Sequence, residues 1–405
     1  MNFLEALQVT NKEKKLFKGI KIVKVCIGEW KNQSRDEREM TLLQELGAEV
    51  VIVAKTSDIE KSEIINGLKI EKISTKPIKF KPLTFFNKGV GFIKWILYVR
   101  KKNADILSCH DLIALFIGYI SNIGKKYRAK LVYDSHELEL GRNAKRNKFV
   151  VCVIKILEGF LIRRVDLAIM VNESIANEVQ TIYKLENRPV VVRNIPEYWN
   201  LDFGEIELKR KELVHCLNGN EKTFFLMFHG AIMPNRGIEN LIDVISQMDD
   251  IGLVILGNGE KYYIDYLKNL SRQKKCTSKI YFHEAVPLSD LYMFVGAADV
   301  GMINILGKNK SYYYMLPNKF FENIQSLTPV IVSNFPEVSK IVDEYNIGIK
   351  VDPNSIAEII EAIEKMRYDK ILYATFKSNL KKAKEELCWE KEKKVLEQAY
   401  EKLVI

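Results

Sequence analysis

An α/β fold of two Rossmann-like domains is predicted, on three observations. Strand-like runs of branched apolar residues alternate with helix-like segments along the 405-residue chain, the pattern of parallel sheets covered by helices. The alternation comes as two series, residues 19–193 and 224–351. Between them, residues 194–220 carry Pro196, several charges and weak periodicity, and read as a connection. A chain this long exceeds one ordinary core, so the expectation is two domains with parallel sheets facing a central cleft.

Residues 19–27, GIKIVKVCI, alternate as a strand that ends at Gly28. Residues 38–46 place Met40, Leu42, Leu43 and Leu46 on one helical face; Gly47 follows as the C-cap, and residues 50–54 are the next strand. Strand, helix and strand with short connections make a βαβ unit and so a parallel pair. Strand patterns recur at 106–109, 130–133, 166–171 and 189–193. The second series has strands at 224–228, 252–256, 280–282, 299–303, 330–332 and 349–351, helices at 237–248 and 288–297, and charged helices at its end. One more helix is expected from Pro317, since proline pre-sets the helical φ and lacks an N–H that a first turn leaves unpaired anyway. Phe320, Ile324 and Leu327 give its buried face, and Pro329 ends it.

The chain is 47% hydrophobic and 28% charged, which makes it globular, and its net charge of +10 favours anionic partners. Its six cysteines include no Cys-x-x-Cys pair and read as reduced core residues of a cytosolic protein. No N-terminal apolar run suggests a signal peptide, and no apolar stretch approaches the roughly 18–20 residues of a membrane span. A cytoplasmic protein is therefore expected.

Residues 73–103 contain no acid; Lys76, Lys79, Lys81, Lys88, Lys94, Arg100, Lys101 and Lys102 interleave with Phe80, Phe85, Phe86, Phe92 and Trp95. Residues 149–162 are strongly apolar, between Arg142, Lys145, Arg146 and Lys148 on one side and Arg163 and Arg164 on the other. Basic and aromatic surface suits peripheral contact with the anionic inner face of a membrane. It also suits nucleic acid, although no RNA or DNA module signature accompanies it, so no nucleic-acid partner is expected. Equally, Phe92, Ile96 and Val99 read as the core face of a helix.

The helix start at Pro317 offers free N–H groups and a positive dipole end, which suit phosphate. One turn further in, Glu322 is placed to accept hydrogen bonds from sugar hydroxyls, though the dipole alone also favours a carboxylate there. Tyr312, Tyr313 and Tyr314 read either as a wall for a sugar or as plain loop packing. His229-Gly230 followed by Pro234-Asn235-Arg236-Gly237 puts glycines and a cation where a strand gives way to a helix, the combination that phosphate needs. Gly257-Asn258-Gly259-Glu260 is a second glycine turn; it does not complete GxGxxG, so the dehydrogenase fingerprint is absent. Cys109-His110-Asp111 and Asp134-Ser135-His136-Glu137 put two of the five histidines at strand ends, where open α/β sheets place their sites. Each histidine also reads as satisfying local hydrogen bonds. No Asp-x-Asp occurs, so no obvious metal clamp for a diphosphate is present.

The series FHGAIMPNRGIENLI, LVILGNG, FHEAVPLSDL and LPNKFFENIQSLTPVIVSNFPEV resembles the donor domain of the retaining glycosyltransferases of family 4, which have the GT-B fold. LVYDSHELE is similar to the acceptor-side strand of that family, and CWEKEKKVLEQAYEKL to its C-terminal helices. The resemblance covers most of the chain. It implies an N-terminal acceptor domain over 1–196, a connection over 197–222, a nucleotide-sugar domain over 223–385, and a closing helix over 386–405 that packs back on the first domain. It implies a nucleoside-diphosphate sugar as donor, UDP- or GDP-linked, with retention and without metal. Carried over by motif, Glu322 matches the ribose-binding Glu, Arg236 a diphosphate cation, and His136 the active-site His. Gly230, Gly257, Tyr314, Pro317, Asn318 and Lys319 line the donor, and Val286 meets the base. Gly28, His110 and Glu137 lie on the acceptor side.

Two positions depart from the family pattern. The Glu expected eight positions before Glu322 is Tyr314, and the Arg expected after the strand glycine is Ala231. The expected reaction moves a sugar to a hydroxyl of a glycan or lipid-linked acceptor. The leaving diphosphate is stabilised by Arg236 and the N–H groups near Asn318, and His136 orients the reacting sugar or the acceptor. A GT-B sugar-nucleotide epimerase and a non-catalytic partner subunit, the latter favoured by Tyr314 and Ala231, are the alternatives.

Overall fold

The computed structural model describes residues 16–30, 34–56, 60–74, 84–142 and 146–404, with side chains from 91 onward in the fourth of these stretches. The N-terminal stretch 1–15 and the expected basic and aromatic residues Lys76, Lys79, Phe80, Lys81 and Lys145 lie outside it, as do the side chains of Phe85, Phe86 and Lys88. The chain divides into two compact units: residues 1–192 with 393–405, and residues 193–392.

The first unit runs β1 (Lys21–Glu29), α1 (Ser34–Glu45), β2 (Glu49–Thr56), β3 (Lys61–Ile65), β4 (Leu68–Ser74), α2 (Thr84–Lys101), β5 (Ile106–His110), α3 (Asp111–Asn122), β6 (Lys130–Ser135), α4 (Lys148–Ile162), β7 (Leu167–Met170), α5 (Glu173–Tyr183) and β8 (Val190–Val191). Its sheet has the order β3-β4-β2-β1-β5-β6-β7-β8, and only the β3–β4 hairpin is antiparallel. Helices cover both faces, so β1 is buried at five consecutive positions instead of at alternate ones. The carboxyl ends of β1, β5 and β6 lead to Gly28, His110 and His136.

The second unit runs α6 (Phe203–Cys216), β9 (Phe224–His229), α7 (Ile238–Gln247), β10 (Ile251–Leu256), α8 (Lys261–Gln273), β11 (Ile280–His283), α9 (Leu288–Ala297), β12 (Val300–Ile303), α10 (Lys310–Tyr313), α11 (Asn318–Gln325), β13 (Val330–Ser333), α12 (Pro336–Tyr345), β14 (Gly348–Val351), α13 (Ile356–Tyr368) and α14 (Lys370–Glu386). The sheet order is β11-β10-β9-β12-β13-β14, every pair parallel. Strand order reverses between β9 and β12, the switch point at which such sheets hold ligands. All of β9 and β10 is buried, matching their unbroken apolar sequences.

Several sequence expectations are corrected. The segment 197–222 is not a plain connection: it holds α6, capped by the Asp202 carboxylate on Gly204 and Glu205 N–H and packed into the core through Leu213 and Val214. The final helix α15 (Trp389–Val404) divides after Glu392, so residues 386–392 belong to the second unit. The β3–β4 hairpin was not expected. Two of the presumed core cysteines lie elsewhere: Cys152 is exposed and Cys216 half-buried. Residues 310–313, read as loop, form a single helical turn capped by Asn309.

One contact seats the candidate site helix. Asn323 of α11 is fully buried, donates to Lys319 O at 2.6 Å, and lies over Gly301 of β12. A Cβ on Gly301 would stand 1.8 Å from Asn323 Oδ1. From the far end, Gln325 donates to Lys384 O and Leu387 O at 3.0 and 2.9 Å. We expect Gly301→Ala to overpack this contact, cost about 1–3 kcal/mol and displace α11. A lowered thermal midpoint together with weakened nucleotide binding checks it.

Candidate active site

In the second unit two glycine turns lock together. Gly230 has φ +110° and Gly257 φ +157°, and a Cβ on Gly257 would stand 1.9 Å from Gly230 O. Gly230 N–H donates to Leu256 O, Gly257 N–H to His283 O, and Ile232 N–H to Asn258 O, at 2.8–2.9 Å. Asn258 Oδ1 in turn accepts from Ala285 N–H at 3.2 Å, which fixes the stretch that carries Val286. Gly237, at φ +71°, stands so close to Asn304 that a Cβ would lie 2.0 Å from its carbonyl oxygen. Only glycine fits these places, and the bare backbone is left near the α11 N-terminus.

Pro317 is the N-cap of α11, with the helix starting at Asn318. Glu322 pairs through Oε2 with His229 Nε2 at 2.9 Å, and His229 is buried at the end of β9. Sequence reading noted both residues but not their pairing, which joins positions 93 apart. Arg236 Nη1 lies 3.5 Å from Met315 Sδ, and its guanidinium stands 5.2 Å from the Tyr312 ring centre; among the described residues no carboxylate pairs with it. Lys319 is buried, with Nζ 3.9 Å from the Phe228 ring centre and without a hydrogen-bond partner. Burial, and then the Arg236 charge, bring its pKa down to about 7 against the pull of Glu322. Arg236, Lys319 and Glu322 therefore converge, while Tyr314 sits at the end of α10, with its ring against Tyr313.

In the first unit the strand ends surround a buried ion cluster. Lys24 Nζ, fully buried in β1, lies 2.6 Å from Asp134 Oδ2 and 2.8 Å from Asp36 Oδ1, with Glu39 at 3.6 Å. Arg35 binds Glu39, Asp134 and Val192 O at 2.8–3.0 Å. His110 Nδ1 bonds Asp36 Oδ2 at 2.8 Å, His136 Nε2 bonds Asp134 Oδ2 at 3.2 Å, and the two imidazoles are 3.9 Å apart. Asp111 opens α3 at φ +64°, a strained value for a non-glycine. Arg142 holds its carboxylate at 3.1 Å and reaches Glu137 at 3.2 Å. Asp36 and Asp134 come near enough to His136 to share a cation, and the Lys24 ammonium stands at both. Two cations then face three carboxylates. Burial, and then Asp134, raise the Glu39 pKa. Burial would lower the His110 pKa, but the hydrogen bond and charge of Asp36 outweigh it and leave it raised. His110, His136 and Gly28 thus gather at one end of this unit, with Glu137 beside them. Sequence reading missed Lys24, Arg35, Asp36 and Glu39.

Two family matches divide the chain: Glycosyltransferase Family 4 over residues 40–195 and Glycosyl transferases group 1 over residues 210–383. Among solved structures the chain is similar to a sucrose-phosphate synthase from Thermosynechococcus elongatus, at 15% identity over 95% of this chain and 99% of that one, TM-score 0.76. It is similar to Anabaena HepE in complex with UDP-glucose, at 14% identity over 95% and 99%, TM-score 0.72. A Rickettsia africae glycosyltransferase matches at 14% identity over 95% and 97%, TM-score 0.66. No curated protein matches. The two-unit α/β architecture is that of the GT-B glycosyltransferases. Within that class the chain belongs to family 4, and it is an enzyme of sugar transfer.

Two outcomes follow for the charged groups. Glu39 and His110 bind protons more tightly folded than unfolded, so their contribution to stability falls as pH rises above their ordinary values of 4.5 and 6.5. Urea midpoints should drop between pH 5 and 8, and Glu39→Gln should flatten that drop. Lys319 has the opposite sign: between about 7 and 10.5 the unfolded chain holds a proton that the folded chain lacks, and stability rises with pH. Lys319→Met should raise the thermal midpoint at pH 7.5 while weakening nucleoside-diphosphate binding. Scanning calorimetry with and without UDP reads both effects.

Proposed function

We propose that the enzyme transfers a sugar, with retention and without metal, from a UDP- or GDP-linked donor to a hydroxyl of a glycan or lipid-linked acceptor. The observation that carries this reading is the convergence of Arg236, Lys319 and the α11 N-terminus beside Glu322. The Arg236 cation and the buried Lys319 amine, which gains its proton as negative charge arrives, suit a diphosphate beside the helix start. One oxygen of Glu322 is held by His229, and the other accepts from the ribose hydroxyls. Gly230 and Gly257 let the diphosphate approach the backbone, Pro317 and Asn318 present the helix N–H groups, and Val286 borders the base. HepE, with the same fold, is known in complex with UDP-glucose.

Charge grows on the diphosphate as the glycosidic bond breaks. Arg236, Lys319 and the fixed N–H dipoles of α11 are in place before that charge develops, so they stabilise the transition state more than the ground state. Lys319, protonated as the phosphates arrive, supplies the second cation where Ala231 replaces the arginine of the family pattern. Tyr314, in place of the first Glu, offers an aromatic face to the donor sugar. His136, held by Asp134, orients the reacting groups, and Gly28, His110 and Glu137 border the acceptor. The protein works at the cytoplasmic face of an anionic membrane without crossing it; among the described residues no helix is long and apolar enough to span one.

The test is a thermal-shift and turnover assay with sugar nucleotides. UDP or GDP should raise the midpoint of the wild type. Glu322→Ala removes a charged acceptor of about 2–3 kcal/mol, so donor use should fall about 30- to 150-fold. Undiminished turnover in that variant refutes the assignment.

A further inference from the structure

The first unit contains a cavity of about 610 Å3 between α2, α3 and α4, a size typical of ligand sites. Gly28 and His110, expected on the acceptor side, line it together with the charged Asp111, Glu139, Arg142 and Arg146. Phe92, Phe116, Ile154 and Leu157 give it apolar walls. Outside the cavity the apolar character continues onto the surface. On α4, Phe149, Val150, Val153, Ile156 and Phe160 are all exposed, and on α2 so are Ile93 and Leu97. A monomer surface seldom leaves so many large apolar side chains adjacent. The cations on α4, Lys148 and Lys155, are also exposed, and its one acid, Glu158, is buried against the hydroxyls of Tyr133 and Tyr183 at 2.8 and 2.6 Å. That bond pair anchors the inner face of the helix and leaves an outward face that is only apolar and basic.

We propose that this groove holds the hydrocarbon chain of an amphiphilic acceptor, whose polar head then lies at His110 and Gly28. The proposal rests on the transferase reading, because the acceptor end of the site fixes which end of the groove is polar. The apolar walls match a chain of methylenes, and the exposed apolar and basic face of α4 matches the anionic layer in which such molecules reside. The amphiphile comes from that layer with its tail already among apolar neighbours, and the groove keeps the tail out of water while the head is glycosylated.

The test uses alkyl β-maltosides of increasing chain length, below their micelle thresholds, titrated into the full-length protein by calorimetry. Affinity should rise about fourfold per added methylene, the ratio for one buried CH2. Ile154→Glu or Leu157→Asn should remove that dependence. Ile156→Ser, on the same helix but 67% exposed and outside the lining, should leave affinity within about twofold. Chain-length independence, or equal loss in Ile156→Ser, overturns the proposal. So does a finding by sedimentation that Ile154→Glu converts a dimer to monomer, since a second copy would then cover the groove. Sugar-nucleotide turnover measured in parallel shows separately whether the transferase reading stands.

Discussion

The buried Lys24 ammonium is the interaction on which the first unit depends. It stands inside a parallel sheet and holds Asp134 at the end of β6 and Asp36 on α1. Those two carboxylates in turn hold the imidazoles of His136 and His110. A buried ion cluster contributes little net stability compared with apolar packing, but removing one member leaves uncompensated charge. Its use here is geometric: both histidines take their orientation from oxygens that cannot move without exposing Lys24. This end of the first unit, where the acceptor is proposed to bind, is built on electrostatics locked into the sheet.

The second unit reaches the same end by steric means. The interlocked turns at Gly230 and Gly257, and the bare strand at Gly301, bring backbone and helix closer than any side chain would permit. Glu322 then receives its orientation from His229 at the end of β9, so the residue expected to read the ribose is braced by that strand. Positions held this way are pre-organised before ligand arrives, which is where an electrostatic catalyst gains its advantage.

Much of this was legible in the chain. The apolar runs of β9, β10 and β13 and the glycines between strands and helices carry local signals, and the helix behind Pro317 starts within one residue of expectation. Lys24 was not legible: alternation in GIKIVKVCI suggests a solvent-facing lysine, whereas helices cover both faces of this sheet and bury it. Arg35, Asp36 and Glu39 look like a solvated helix start for the same reason. The His229–Glu322 pair and the groove between α2, α3 and α4 are long-range, and no local period encodes them. Helix α6 escaped because an amphipathic pattern broken by many charges resembles a connector, although Leu213 and Val214 anchor it.

In the function proposed above, Lys319 gives the donor seat a selectivity of its own. Its Nζ is kept from water over the Phe228 ring without a hydrogen-bond partner, and burial makes it hold its proton loosely. A neutral nucleoside filling the base and ribose contacts would leave that amine without its charge partner. A diphosphate relieves it, drawing in a proton as the charge becomes welcome. On that reading, recognition of the phosphates would be coupled to uptake of a proton by Lys319.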